Sequence, residues 1–78
     1  MTTDERRIAT AALRAGTSVN HDEIVLVVAD QLNLDPQRIE DVLRRLRVRQ
    51  VLNCVSTEWD VGAVSVRYEK GTEWTEEE

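Results

Sequence analysis

The stretch that decides the fold is IVLVVADQLNLDPQRIEDVLRRL, residues 24–46. Pro36 divides it. The residue before a proline is pushed away from helical dihedrals, so a helix running on from Ile24 has to stop before Asp35. Proline itself is tolerated at the first helical position, where its missing N–H has no partner in any case. Asp35 in front of it is a good N-cap. The stretch therefore predicts a helix, a tight turn at Leu32-Asn33-Leu34-Asp35, and another helix over residues 36–47. In that later helix, Ile39, Val42, Leu43 and Leu46 form an i, i+3, i+4, i+7 apolar stripe. Leu34 points inward and locks the turn.

The face opposite the stripe carries Gln37, Asp41, Arg44 and Val48. Arg38 and Arg45 share one flank; Glu40 and Arg47 share the other. Two readings stay open for this surface. It is a solvated face laced by i,i+4 pairs, Glu40–Arg44 and Asp41–Arg45, or it is a face presented to a partner.

Working upstream, Asn20 and Glu23 have capping-box spacing and start a helix over residues 21–32. Ile24, Val27, Val28 and Leu32 make one stripe, which Val25, Leu26 and Ala29 widen. The β-branched run also suits a strand; the capped start and the spacing favour a helix. His21, the only histidine, has no partner for metal or catalytic work and belongs on the solvated first turn. Thr17-Ser18-Val19 is a one-bridge strand or a loop. The first helix covers residues 4–15, with Thr2 and Glu5 spaced as a capping box and Asp4 and Glu5 well placed in its first turn. Ile8, Ala11, Ala12 and Ala15 form its apolar stripe, with Leu13 beside it. Gly16 is a natural left-handed stop. Arg6, Arg7 and Arg14 fall on the solvated side.

Downstream of Gln50 the period changes from helical to two. Residues 51–58 and 63–70 are β-rich, and Trp59-Asp60-Val61-Gly62 supplies turn chemistry between them. The expected pairing sets Val55 opposite Val66 and Thr57 opposite Val64, leaving Cys54 on the outer face. Trp59 at the tip folds back on the helices or stands exposed as a contact residue. Residues 71–78 add four glutamates and no base, and are expected to form an acidic tail without fixed structure. Trp74 within it is the kind of residue that docks on its own domain or on a partner.

Composition bounds the function. Seventy-eight residues make one domain with a modest core, over residues 1–70. Residues 36–50 hold five arginines against two acids, within a chain of net charge −5. The one cysteine allows no internal disulfide, and no Cys/His cluster suggests zinc. There is no nucleophile–base pair and no phosphate-cradling glycine loop, so neither an enzyme nor a cofactor is expected. No apolar run approaches the roughly 20 residues that span a bilayer, and a cytoplasmic protein is expected. Nine arginines to one lysine, with many acids, point to a GC-rich source. The acidity also fits a halophilic cytoplasm; codon bias alone is the alternative.

The order helix, short strand, helix, turn, helix, hairpin resembles the winged helix-turn-helix family. The resemblance is carried by residues 27–46 and extends over nearly all of residues 4–70. It implies an α+β fold of three helices followed by a two-stranded β-hairpin wing. It also implies a transcriptional regulator that reads double-stranded DNA with its third helix in the major groove. Carried onto this chain, Gln37, Arg38, Asp41, Arg44 and Arg45 would face the groove. Arg47 and Arg49 would meet phosphates, and Arg67 is a basic residue of the wing. Asp41 would repel phosphate, although a carboxylate accepts from cytosine. The wing tip, Glu58-Trp59-Asp60, is acidic where a DNA-touching wing is basic. Such readers commonly bind as dimers, so a homodimer is expected. The alternative is a protein-interaction module on the same scaffold, using Trp59 or the acidic tail with Trp74.

Overall fold

The computed structural model describes residues 1–58 and 64–75. The chain folds into three helices followed by a two-stranded antiparallel hairpin: α1 (Thr3–Arg14), α2 (His21–Leu32), α3 (Pro36–Val48), β1 (Leu52–Glu58) and β2 (Val64–Lys70). This α+β layout is consistent with a winged helix.

Each helix starts where its side chains supply the missing backbone partners. At α1 the Thr2 hydroxyl accepts from the Glu5 N–H and the Glu5 carboxylate accepts from the Thr2 N–H, a complete capping box. The Asn20 side chain accepts from the Glu23 N–H, and the Asp35 carboxylate from the Gln37 N–H at 2.8 Å.

The helix ends are equally specific. Gly16, Asn33 and Gln50 all have left-handed backbone, with φ of 73°, 56° and 60°. Behind α2, Leu34 N–H donates to Ala29 and Asn33 N–H to Asp30. Behind α3, Val51 N–H donates to Leu46 and Gln50 N–H to Arg47. Both are Schellman closures, in which the residue after the left-handed one packs back on the helix. Leu34 is accordingly packed against the core, and Val51 and Leu46 are both buried.

The core gathers Ile8, Ala9, Ala12, Ile24, Val28, Ile39, Leu43 and Leu46 from the helices with Leu52, Val66 and Tyr68 from the hairpin. The alanines of α1 allow close helix contact. Ser18 forms an isolated bridge with Val66, so the segment between α1 and α2 edges the hairpin.

The stripe of α2 and the register of the hairpin both depart from expectation. The stripe of α2 is narrower than its apolar content implies: Leu26 and Val27 are exposed while Ile24, Val25, Val28 and Ala29 are buried. A three-helix domain of this size covers one side of α2 only. The hairpin register is also shifted by one residue. Cys54 pairs with Tyr68, Ser56 with Val66 and Val55 with Arg67. A one-residue shift exchanges the faces of a strand, so Leu52 and Cys54, not Asn53 and Val55, turn toward the helices. Burial of Leu52, 2% exposed, selects this register. The expected turn at 59–62, with Trp59, lies outside the described residues.

The described part of the tail, 71–75, is docked rather than free. Gly71 N–H donates to Val51 and Glu73 N–H to Gln50. Trp74 packs against the core, with the Arg6 guanidinium 5.4 Å and the Lys70 ammonium 5.7 Å from its ring centre. Residues 76–78 lie outside the described ones. Among the described residues no helix is long and apolar enough to cross a membrane.

Candidate nucleic-acid interface

Helix α3 is positioned by its own sequence. Its stripe of Ile39, Val42, Leu43 and Leu46 is buried, which turns Gln37, Asp41, Arg44 and Val48 outward. Val48 is 78% exposed, far more than a valine of the core would be. Along the row the Gln37 amide donates to Asp41 at 3.4 Å, and Arg44 lies 3.9 Å from Glu40.

The flank is organised by α1. Arg38 reaches Asp4 at 3.3 Å, and Arg45 and Arg49 converge on Glu5 at 3.7 and 3.8 Å. The expected Asp41–Arg45 pair gives way to this contact between helices. Asp4, Glu5, Arg38, Asp41, Val42, Arg45 and Thr2 line a groove of about 440 Å³ between the start of α1 and α3.

Glu5 is the fixed point of the cluster. Its side chain is only 10% exposed, against 62% for Arg44 and 61% for Arg45. One carboxylate oxygen takes the Thr2 N–H at 2.9 Å and the other faces the two guanidinium groups. The Thr2 N–H, followed by the Arg49 charge, holds the Glu5 carboxyl below its ordinary range against the opposing effect of burial. The arginines, by contrast, are solvated groups in long ion pairs. Pairs of this kind contribute about 0–1 kcal/mol, so an incoming anion can displace them at small cost.

The structure thus brings together Gln37, Arg38, Asp41, Arg44, Arg45 and Arg49. Comparison with family models, with curated proteins and with solved structures gives no significant match.

Two expected contact residues stand apart. Arg47 is half-buried, and its Nε is buried without a hydrogen-bond partner. Its charge acts on His21 and Tyr68, which places it at the junction of α3 with α2 and the hairpin, not at the outer row. Arg67 lies on the hairpin face turned away from Val66 and Tyr68, paired with Glu69 at 3.4 Å.

The junction holds a polar pair that the sequence did not single out. His21 Nε2 and the Tyr68 hydroxyl are hydrogen-bonded, with ring centres 5.6 Å apart. Burial, then the Arg47 charge, pushes the His21 pKa down; burial pushes the Tyr68 hydroxyl up to about 12. Both groups are held neutral near pH 7. This pair ties the start of α2 to the hairpin, so His21 is a half-buried structural residue and not a solvated one. No signal in the sequence pairs residues 47 positions apart. Asp4 and Glu5 were visible as acids of the first turn, Glu5 also as part of the capping box, but their partnership with the α3 arginines needed the packing of α1 on α3.

Proposed function

We propose that this protein is a sequence-specific, double-stranded DNA-binding transcriptional regulator with α3 as the helix that enters the major groove. The observation that carries the reading is the row of solvated arginines, Arg38, Arg44 and Arg45, beside Gln37 on the outward face of α3. In this arrangement Arg38 and Arg45 suit a guanine edge, which a guanidinium contacts through two hydrogen bonds, and Gln37 suits adenine. Arg49 is suited to a phosphate, where it positions without specifying. Asp41 accepts from cytosine or excludes other bases.

The acids along this face make binding sensitive to ionic conditions. At molar salt the Debye length shrinks to about 3 Å, and the repulsion of the wider acidic surface fades with it. The direct test is selection from a duplex library at low and at molar salt. Enrichment of a defined sequence supports the reading, and a palindrome would add a dimer. A flat result at both salts rejects it.

The expected effect of Arg44→Ala/Arg45→Ala is a loss of at least about 30-fold in duplex affinity, since each such contact contributes about 1–3 kcal/mol. The melting curve should change little. Retention of full binding by the folded double variant would remove α3 from the interface.

A second reading, a protein-interaction module, is favoured by one observation: each of Arg38, Arg44, Arg45 and Arg49 already has an acid partner. Capture of a protein partner without retardation of any duplex would select it.

A further inference from the structure

Of the five arginines in residues 36–50, Arg47 alone has no acid partner among the described residues. It is also the one drawn inward: Arg47 is half-buried, while Arg38, Arg44, Arg45 and Arg49 are exposed. Its Nε is buried without a hydrogen-bond partner. A guanidinium shielded from water at one nitrogen and given no counter-charge is costly to hold. Its surroundings do not offset that cost. The Arg47 charge acts on His21 and Tyr68, both neutral near pH 7, and Glu40, which acts on the same two groups, is paired with Arg44.

Arg47 lines a pocket of about 330 Å³ where the end of α3, the open end of the hairpin and the docked segment meet. That volume lies within the range of small-ligand sites, about 300–1,000 Å³. The rest of the lining is rich in donors. Lys70 brings a second cation, and Gln50 and Asn53 bring amides. The Gln50 amide oxygen already accepts from the Thr72 hydroxyl at 2.9 Å, which leaves its NH2 as a donor without a partner among the described residues. One N–H of Asn53 goes to Glu69, and the amide has another to give. The acceptors are occupied. Glu69, the one acid in the lining, takes Asn53 on one oxygen and Arg67 on the other. The Gln50 and Val51 carbonyls accept from Glu73 and Gly71. Leu52 adds an apolar wall.

We propose that this pocket binds the phosphate group of a small molecule. Two cations against one engaged acid set the sign, and a chain of net charge −5 concentrates no anions there without a specific site. The guanidinium and the two amides suit a group with several acceptor oxygens, to which arginine gives paired hydrogen bonds and lysine a point charge. The site uses none of the outward row of α3, and its ligand would join α3, both strands and residues 71–72. The inference rests on the pocket alone and does not depend on DNA binding.

The test is a titration of the full chain with inorganic phosphate and, separately, with glycerol 3-phosphate, against chloride at equal ionic strength, followed by nitrogen-15 NMR. Saturable shifts are expected at the Gln50 and Asn53 side-chain amides, with a dissociation constant of about 1 mM or tighter. Tighter binding of the ester than of inorganic phosphate would assign the apolar wall to its organic part; equal binding would assign the site to the phosphate group alone. Both outcomes support the proposal. Arg47→Met keeps most of the aliphatic stem and should weaken binding at least about 10-fold. Lys70→Gln, at an exposed position, should weaken it about 3- to 10-fold even if Arg47→Met fails to fold, which melting curves would reveal. Arg14→Met should leave it unchanged. No saturable shift up to about 20 mM phosphate, undiminished binding in the folded Arg47 and Lys70 variants, or binding of duplex DNA alone through these residues overturns the proposal.

Discussion

Single residues decide more here than their type suggests. Gly71 has no unusual φ, yet a Cβ built on it overlaps the Gln50 carbonyl group and comes within 3.0 Å of the Val51 carbonyl carbon. These are backbone atoms and cannot step aside as a side chain would. Gly71→Ala should cost about 1–3 kcal/mol, with Trp74 fluorescence reporting loss of the docked segment; an unchanged melting point would show that the segment can shift at no cost. Glu5 does two jobs, capping α1 and holding Arg45 and Arg49. Glu5→Gln keeps an acceptor for the Thr2 N–H and removes the charge that faces Arg45 and Arg49. On the proposed function it should tighten duplex binding about 2- to 5-fold, as expected for removing one nearby like charge. Weaker binding in the folded variant would mean that Glu5 orients the arginines more than it neutralises them.

At the scale of elements, the helix starts were legible and the helix ends only partly so. Thr2, Asn20 and Asp35 announce their caps through local spacing. Asp35→Ala should lower stability by about 1 kcal/mol, read as a shift of the denaturation midpoint; no shift would mean that Pro36 alone starts α3. Gly16 announces a left-handed end, whereas Gln50 does not, because nothing in its side chain favours that conformation. It is held there by the closure of α3 and by the docked segment, whose Thr72 hydroxyl donates to the Gln50 amide oxygen at 2.9 Å. The strands were located correctly while their register was not. Residues 51–58 put Val51, Val55 and Thr57 on one face and Leu52 and Cys54 on the other, so periodicity left two registers open, and burial of Leu52 against the helices chose between them. The docking of residues 71–75 was legible only in part: Trp74 among polar residues suggested docking on its own domain or on a partner, and the choice between them rests on Arg6, far away in sequence.

For the whole molecule the polar pairs set a pH window. The Glu5 pKa is lowered on folding, so its contribution is present above the ordinary value of 4.5 and is lost as pH falls through the folded value. The His21 pKa is also lowered, so stability falls as pH drops below 6.5, where the unfolded chain binds the proton more readily. Tyr68 is raised from 10.0 to about 12, so stability falls again as pH rises above 10. Urea denaturation should show a plateau between about pH 6.5 and 10 and a decline on both sides. A Tyr68→Phe variant should lose the alkaline decline, and a decline that persists there would point to another group. The sequence by itself determined the three helices, their starts, the turn before Pro36 and the outward row of α3, because each follows from periodicity and contacts within four residues. Only the tertiary structure decided the strand register, the α1 acids that hold the α3 arginines and the His21–Tyr68 pair. Those depend on which surfaces meet, and a chain this small has just enough core to cover one side of each helix.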